Sequence, residues 1–226
     1  MNQADTNDYN LPEQQFLSPD AALLEMAAVG AKRAQGLSSA QVLILSMLAG
    51  GFITIGALFS VLIAAGTHNP GVQRLLEGFG FSVGFFLVVI TGTLLFTEVN
   101  VELPATFLSH DVSAIRSSIL KLWVLAALGN LIGAFVTGQV IMYAHDYDAE
   151  FDTLLAEIVD SKLRYQDIGG IEGFFKAIVS GVLANWLVGM AALLSVMGRT
   201  IIGKYVPVFL VVTAFVASGF LHSPAN

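Results

Sequence analysis

No cysteine occurs among the 226 residues, which excludes disulfides and thiolate metal sites. Charge is scarce too. Asp, Glu, Lys and Arg make up 12% of the chain, where a soluble domain carries about 25%. Ten basic residues against 17 acidic ones leave no cationic surface for nucleic acid. No metal cluster, nucleotide-binding loop or nucleophile–base pair is visible, so neither an enzyme nor a cofactor is expected. The N-terminal stretch 1–15 lacks a basic region and a cleavage site, so it is not a signal peptide.

What fills the chain instead is apolar: 55% of residues are hydrophobic and the mean hydropathy is +0.75. Uncharged runs cover 40–68, 78–97, 122–145, 177–198 and 205–221. A helix needs roughly 20 apolar residues to cross a bilayer, so four runs suffice and the fifth is slightly short. They are apolar on all sides, unlike the alternating strands of a membrane barrel. The chain reads as an all-α polytopic membrane protein in a lipid bilayer.

Three regions are expected. Residues 1–17 form a polar, disordered N-terminus. Residues 18–36 form an amphipathic helix, capped by Ser18 with Pro19 at its first position and ended at Gly36. It lies at the membrane interface or packs on the bundle. Its apolar positions are Leu23, Ala27, Gly30, Ala31 and Ala34. Residues 37–226 form the transmembrane domain. Counting Lys and Arg in the connections places the N-terminus on the cytoplasmic side. The long connection 146–176 holds eight acidic residues against three basic ones, a net −5, and reads as a solvated acidic loop. Gly80 with Gly84, and Gly129 with Gly133, are spaced for tight helix contact in lipid.

Two runs look interrupted. Gly and Thr crowd residues 91–97, then Glu98 and Asn100 follow, which a continuous span would not contain. A helix that stops near Thr93 and restarts near Thr97 accounts for both. The run that carries His222 stops at Ser223-Pro224. The segments Leu95-Phe96-Thr97-Glu98-Val99-Asn100 and Leu221-His222-Ser223-Pro224-Ala225-Asn226 share Leu, a hydroxyl and Asn in register. Three crossings separate them, so they run in opposite senses, and paired interruptions in an inverted repeat point to a central transport site. An ionisable His222 at membrane depth is a functional-site hypothesis by default.

Restarted half-helices present free N–H groups and partial positive charge. Thr97 and Ser223 add hydroxyls, and His222 adds a titrating N–H. Such a site favours a small anion. The rings of Phe81, Phe85 and Phe215 can form apolar constrictions on either side. Asn130 and Asn185 sit in apolar runs, where each either bonds between helices or orients His222 or a broken loop.

At these residues the chain resembles the formate/nitrite transporter family. Residues 215–226 are identical at ten of twelve positions to that family's Phe-Val-Ala-Ser-Gly-Phe-Glu-His-Ser-Ile-Ala-Asn. Residues 92–97 resemble its Gly-Ala-Asp/Glu-Leu-Phe-Thr loop. Residues 129–133, 183–188 and 198–200 match as well. The resemblance implies an aquaporin-like inverted repeat with broken second and fifth transmembrane helices. It also implies a homopentamer in the bacterial inner membrane, passing a small monovalent anion or its conjugate acid. By family pattern Leu95, Phe96 and Thr97 form the constriction loop, Phe81, Phe85 and Phe215 the slits, and His222 the central protonatable residue. On this pattern a further half-helix and a sixth span are expected to follow Asn226.

Departures from the pattern bear on substrate. Leu221 replaces the glutamate before the histidine, Glu98 replaces a small residue, and Leu94 takes the loop's acidic position. Gly169 stands where a lysine often lies. Glu98 is therefore expected to face the surroundings of His222 and set its protonation. A non-conducting scaffold or sensor and a neutral-solute channel are the alternatives to an anion channel.

Overall fold

The computed structural model describes residues 16–109 and 115–222. They form α1 (Pro19–Gly36), α2 (Ser39–Ala64), α3 (Pro70–Thr91), α4 (Phe96–Ser109), α5 (Arg116–Ala144), α6 (Ala149–Ile168), α7 (Gly170–Met197) and α8 (Ile201–Ala217). Side-chain caps set where α1, α2, α3, α6 and α8 of these eight helices begin. Ser18 Oγ accepts from Ala21 N–H at 3.3 Å, and Pro19 opens α1 as expected. Ser38 and Gln41 close a reciprocal capping box at α2. Asn69 accepts from Gly71 and Val72 N–H at α3, ahead of which Pro70 presets the first turn. Residues 1–15 of the expected disordered N-terminus 1–17, and Ser223, lie outside the described residues, while Leu17 N–H donates to Met197 O at 2.8 Å and so holds the end of that segment against the close of α7.

Helices α2, α3, α5 and α7 are long and apolar enough to span a membrane, with 26, 22, 29 and 28 residues. Helix α8 has 17 residues, about 25 Å at 1.5 Å per residue. Large apolar residues such as Leu131, Phe135 and Trp186 are exposed on the outer faces, as lipid-facing positions require. The fold is an all-helical inverted repeat. Helices α3 and α8 run antiparallel through its centre, joined by edge-on contact of Phe79 with Phe209 at 5.2 Å.

Helix α2 is the spine on which α3 and α5 close. Both glycine pairs lie on these contacts. A Cβ on Gly84 would stand 2.5 Å from Phe52 O, and one on Gly133 only 1.9 Å from Met47 O. Backbone cannot yield as a side-chain tip does. Gly133→Val is therefore expected to lower stability by more than about 2 kcal/mol, seen as a drop in the melting temperature of the detergent-solubilised protein. An unchanged melting temperature would show that α2 and α5 can separate freely.

Two expectations change here. The connection 146–176 is not a loop but contains α6, started by Asp148, which accepts from Phe151 N–H at 2.9 Å. Its Phe151 and Leu154 are buried against Val61 and Ala64 at the end of α2. In α1 the buried stripe is Ala22, Met26, Ala27, Gly30 and Ala34, while Leu23 is exposed. That stripe faces α4: Thr106 Oγ1 donates to Ala27 O at 3.0 Å, and a Cβ on Gly30 would collide with Thr106.

Candidate functional site at two helix breaks

Helix α3 stops at Thr91 because Gly92 takes the left-handed conformation, φ +65°, that side chains resist. Residues 93–95 are non-helical, and α4 restarts at Phe96. The interruption thus opens at Gly92, slightly before the expected Thr93. In the second half α8 ends at Ala217, and Gly219 has φ +68°. The chain therefore leaves the helix well before Ser223-Pro224, at a glycine and not at the proline. His222 follows on a non-helical segment.

Asn130 holds the first break. Its Oδ1 accepts from Phe96 N–H at 2.7 Å, and its Nδ2 donates to Leu94 O at 2.9 Å and Ser46 O at 2.8 Å. One amide thus satisfies both sides of the loop and ties it to α2. Both roles open to Asn130 in the sequence are realised together. The N–H of Phe96, the first of the restarted helix, is consequently used by the protein itself.

The two breaks meet at a small cavity. Phe81, Phe85, Leu95, Thr97, Phe215 and His222 line it, with Ile53, Val188 and Val212 completing the wall. It encloses about 20 Å³, room for roughly one water. His222 is 1% exposed, and its ring meets Phe215 edge-on at 5.6 Å. Neither ring nitrogen has a hydrogen-bond partner among the described residues. Such a group is costly unless something polar visits it.

Phe81 and Phe215 also form the floor of a vestibule of about 400 Å³ on the α6 side. Leu221, Glu77, Lys162 and Arg164 share its wall. Burial pushes the Lys162 ammonium below its ordinary range, the Arg164 charge adds to this, and Glu77 opposes it. Leu221 is anchored by its backbone, whose N–H donates to Ser180 Oγ at 2.9 Å.

Four expected residues line neither the small cavity nor the vestibule. Phe96 turns its ring outward onto Trp123, 5.2 Å away. Glu98 does not face His222; its charged neighbours are Arg33, Glu102 and Lys204, whereas Lys162 is the charge near His222. One helical step from Thr97 rotates the side chain by about 100°, which carries Glu98 out of the pathway. Asn185 is exposed and donates to Gly181 O of its own helix at 2.7 Å. Asn130 acts behind the loop. Sequence reasoning missed Ser180, Arg33 and Arg164, whose partners are far away in the chain.

The sequence profile described as formate/nitrite transporter matches residues 20–226. The chain belongs to the formate/nitrite transporter family. It is 30% identical over 187 residues to the formate channel of Escherichia coli (strain K12), covering 80% of this chain and 62% of that protein. A probable formate transporter of Methanothermobacter thermautotrophicus is 30% identical over 203 residues, covering 82% and 72%. Among solved structures, a pentameric formate channel with formate bound superimposes with a TM-score of 0.67 at 27% identity. That match covers 87% of this family member and 73% of the other chain. The chain thus spans less than two thirds of the length of the E. coli channel.

Proposed function

We propose that this protein is a channel for a small monovalent anion of the formate class, which crosses the centre as its conjugate acid. The observation that carries the reading is the buried His222, unpartnered among the described residues, beside Thr97 and ringed by Phe81, Phe85, Leu95 and Phe215. An unpaired ion costs several kcal/mol or more in apolar surroundings, whereas a neutral acid costs far less. The anion would enter the vestibule beside Lys162 and Arg164 and shed water at the Phe81–Phe215 slit. An imidazolium at His222 would then give its ring proton to the carboxylate. Neutral acid and neutral imidazole result, and His222 regains a proton from solution. Thr97 offers the hydroxyl that orients the guest. Relatives that are formate channels, one of them solved as a pentamer, support a homopentamer in a bacterial inner membrane. The count of Lys and Arg in the connections supports a cytoplasmic N-terminus.

A second reading has one observation in its favour: the cavity beside His222 encloses only about 20 Å³, room for roughly one water. A non-conducting scaffold would keep it closed. Flux of formate, nitrite, hydrosulfide and lactate into proteoliposomes at pH 5–8 separates the two. Uptake of the small anions above empty liposomes, with lactate slower, is expected. Zero flux for all four would establish the scaffold.

A further inference from the structure

Each broken helix ends its first half on a left-handed glycine, and each of these glycines has an arginine on its carbonyl. Arg33 Nη2 donates to Gly92 O at 3.3 Å across 59 residues of sequence. Arg164 Nη2 donates to Gly219 O across 55 residues. The two arginines occupy corresponding places. Arg33 lies in the last turn of α1, the peripheral helix before span α2; Arg164 lies in the second-to-last turn of α6, the peripheral helix before span α7. Helices α1 and α6 sit at opposite ends of α2: α1 leads into its start, and α6 packs on its end. The inverted repeat therefore extends beyond the spans to their peripheral helices.

Each guanidinium is itself held in place. Arg33 pairs with Glu102 at 2.7 Å, with side chains only 17% and 9% exposed. Arg164 lies over the Tyr165 ring, 4.7 Å from its centroid, and donates to Tyr165 Oη at 3.2 Å. A planar fork that is already fixed loses little freedom on making one more bond.

We infer that Arg33 and Arg164 are counterpart positioning residues, each fixing the broken loop of its own half and offsetting the negative carbonyl end of α3 or α8. The physical need is plain. A helix C-terminus carries roughly half a negative charge on orphan carbonyls. Two such ends beside an anion pathway would oppose the anion that the site is shaped for. A guanidinium on each glycine carbonyl lessens that opposition, less at Arg33, whose charge is shared with Glu102, and sets the entry angle of the loop. The first loop carries Leu95 and Thr97, and the second carries His222.

The test uses the full chain as the purified oligomer, with Arg33→Gln, Arg33→Lys, Arg164→Gln and Arg164→Lys. Hydrogen exchange is followed by mass spectrometry over 90–95 and 217–222. Arg164→Gln is expected to speed exchange about tenfold or more in 217–222 and to leave 90–95 unchanged. Arg33→Gln should do the reverse. The lysine variants, keeping the charge and one donor, should show about threefold effects confined to the same loops. Unchanged exchange in the local loop, or an equal rise in both loops, would overturn the inference. Should a Gln variant fail to assemble, the Lys variant decides: a local rise supports the inference and none refutes it. Formate flux adds a second arm, which alone rests on the channel reading. There Arg164→Gln should raise the KM for formate several-fold and Arg164→Lys should restore most of it. Equal KM values for Gln, Lys and wild type would remove the electrostatic half of the inference. A wild type without flux would refute the channel reading and leave the exchange arm to decide.

Discussion

His222→Phe is expected to reduce formate flux at pH 7 by about 100-fold, the lower end of what a positioned proton donor contributes. Phenylalanine keeps a ring of similar breadth at a position that is 1% exposed, beside Phe215. Because both imidazole nitrogens lack partners among the described residues, the exchange breaks no hydrogen bond there. Folding should survive, and the elution volume in detergent should be unchanged. The loss should shrink towards pH 5, because free acid in solution rises about tenfold per pH unit and no longer needs a donor inside. Initial uptake rates at pH 5, 6, 7 and 8 check both the size and the slope. A variant within twofold of wild type at pH 7 would mean that no proton passes through His222, and a neutral-solute pathway would then fit better.

The sequence exposed the parts of this architecture that rest on local chemistry. Ser18-Pro19 and Gly36 bounded α1 because a cap and a terminator act within a few residues. The run of uncharged residues marked α2, α3, α5 and α7, and Gly92 betrayed the first interruption. Helix α6 was hidden by its charge. Yet Phe151, Leu154, Leu155 and Ile158 recur at helical spacing, so an amphipathic helix could have been read beneath the acidity.

In the site, Leu95 on the non-helical segment and Thr97 in the first turn of α4 both line the cavity, while Phe96 and Glu98 between and beyond them do not. The family pattern names adjacent loop residues without saying which way each side chain turns. Arg33, Arg164 and Ser180 were not legible at all. Each makes its decisive bond to a segment more than 40 residues away, and nothing local distinguishes them from other polar residues.

The second large effect is expected at Asn130. Asn130→Leu preserves side-chain size but strands Phe96 N–H and Leu94 O and removes the second bond to Ser46 O, which keeps its place in the α2 ladder. Hydrogen bonds between membrane helices average only about 0.6 kcal/mol each, since separated helices find other partners. Three such bonds would give about 2 kcal/mol. The loop groups differ, because Phe96 N–H opens a helix, where no carbonyl one turn earlier accepts it, and leaving a buried group unsatisfied costs about 1–3 kcal/mol. A total loss of about 3 kcal/mol or more is therefore expected, together with faster exchange across 92–96. Asn130→Asp is the informative companion. It keeps the acceptor for Phe96 N–H but replaces both donors with a carboxylate facing two carbonyl oxygens. If the donors matter as the geometry indicates, Asp should be nearly as damaging as Leu. Were Asp to behave like wild type, the bonds to Leu94 O and Ser46 O would be dispensable, and the loop would be held by Phe96 N–H alone. Thermal unfolding in detergent, read beside formate flux, distinguishes these outcomes. A stable Asn130→Leu protein with normal flux would show that the break keeps its shape without the amide.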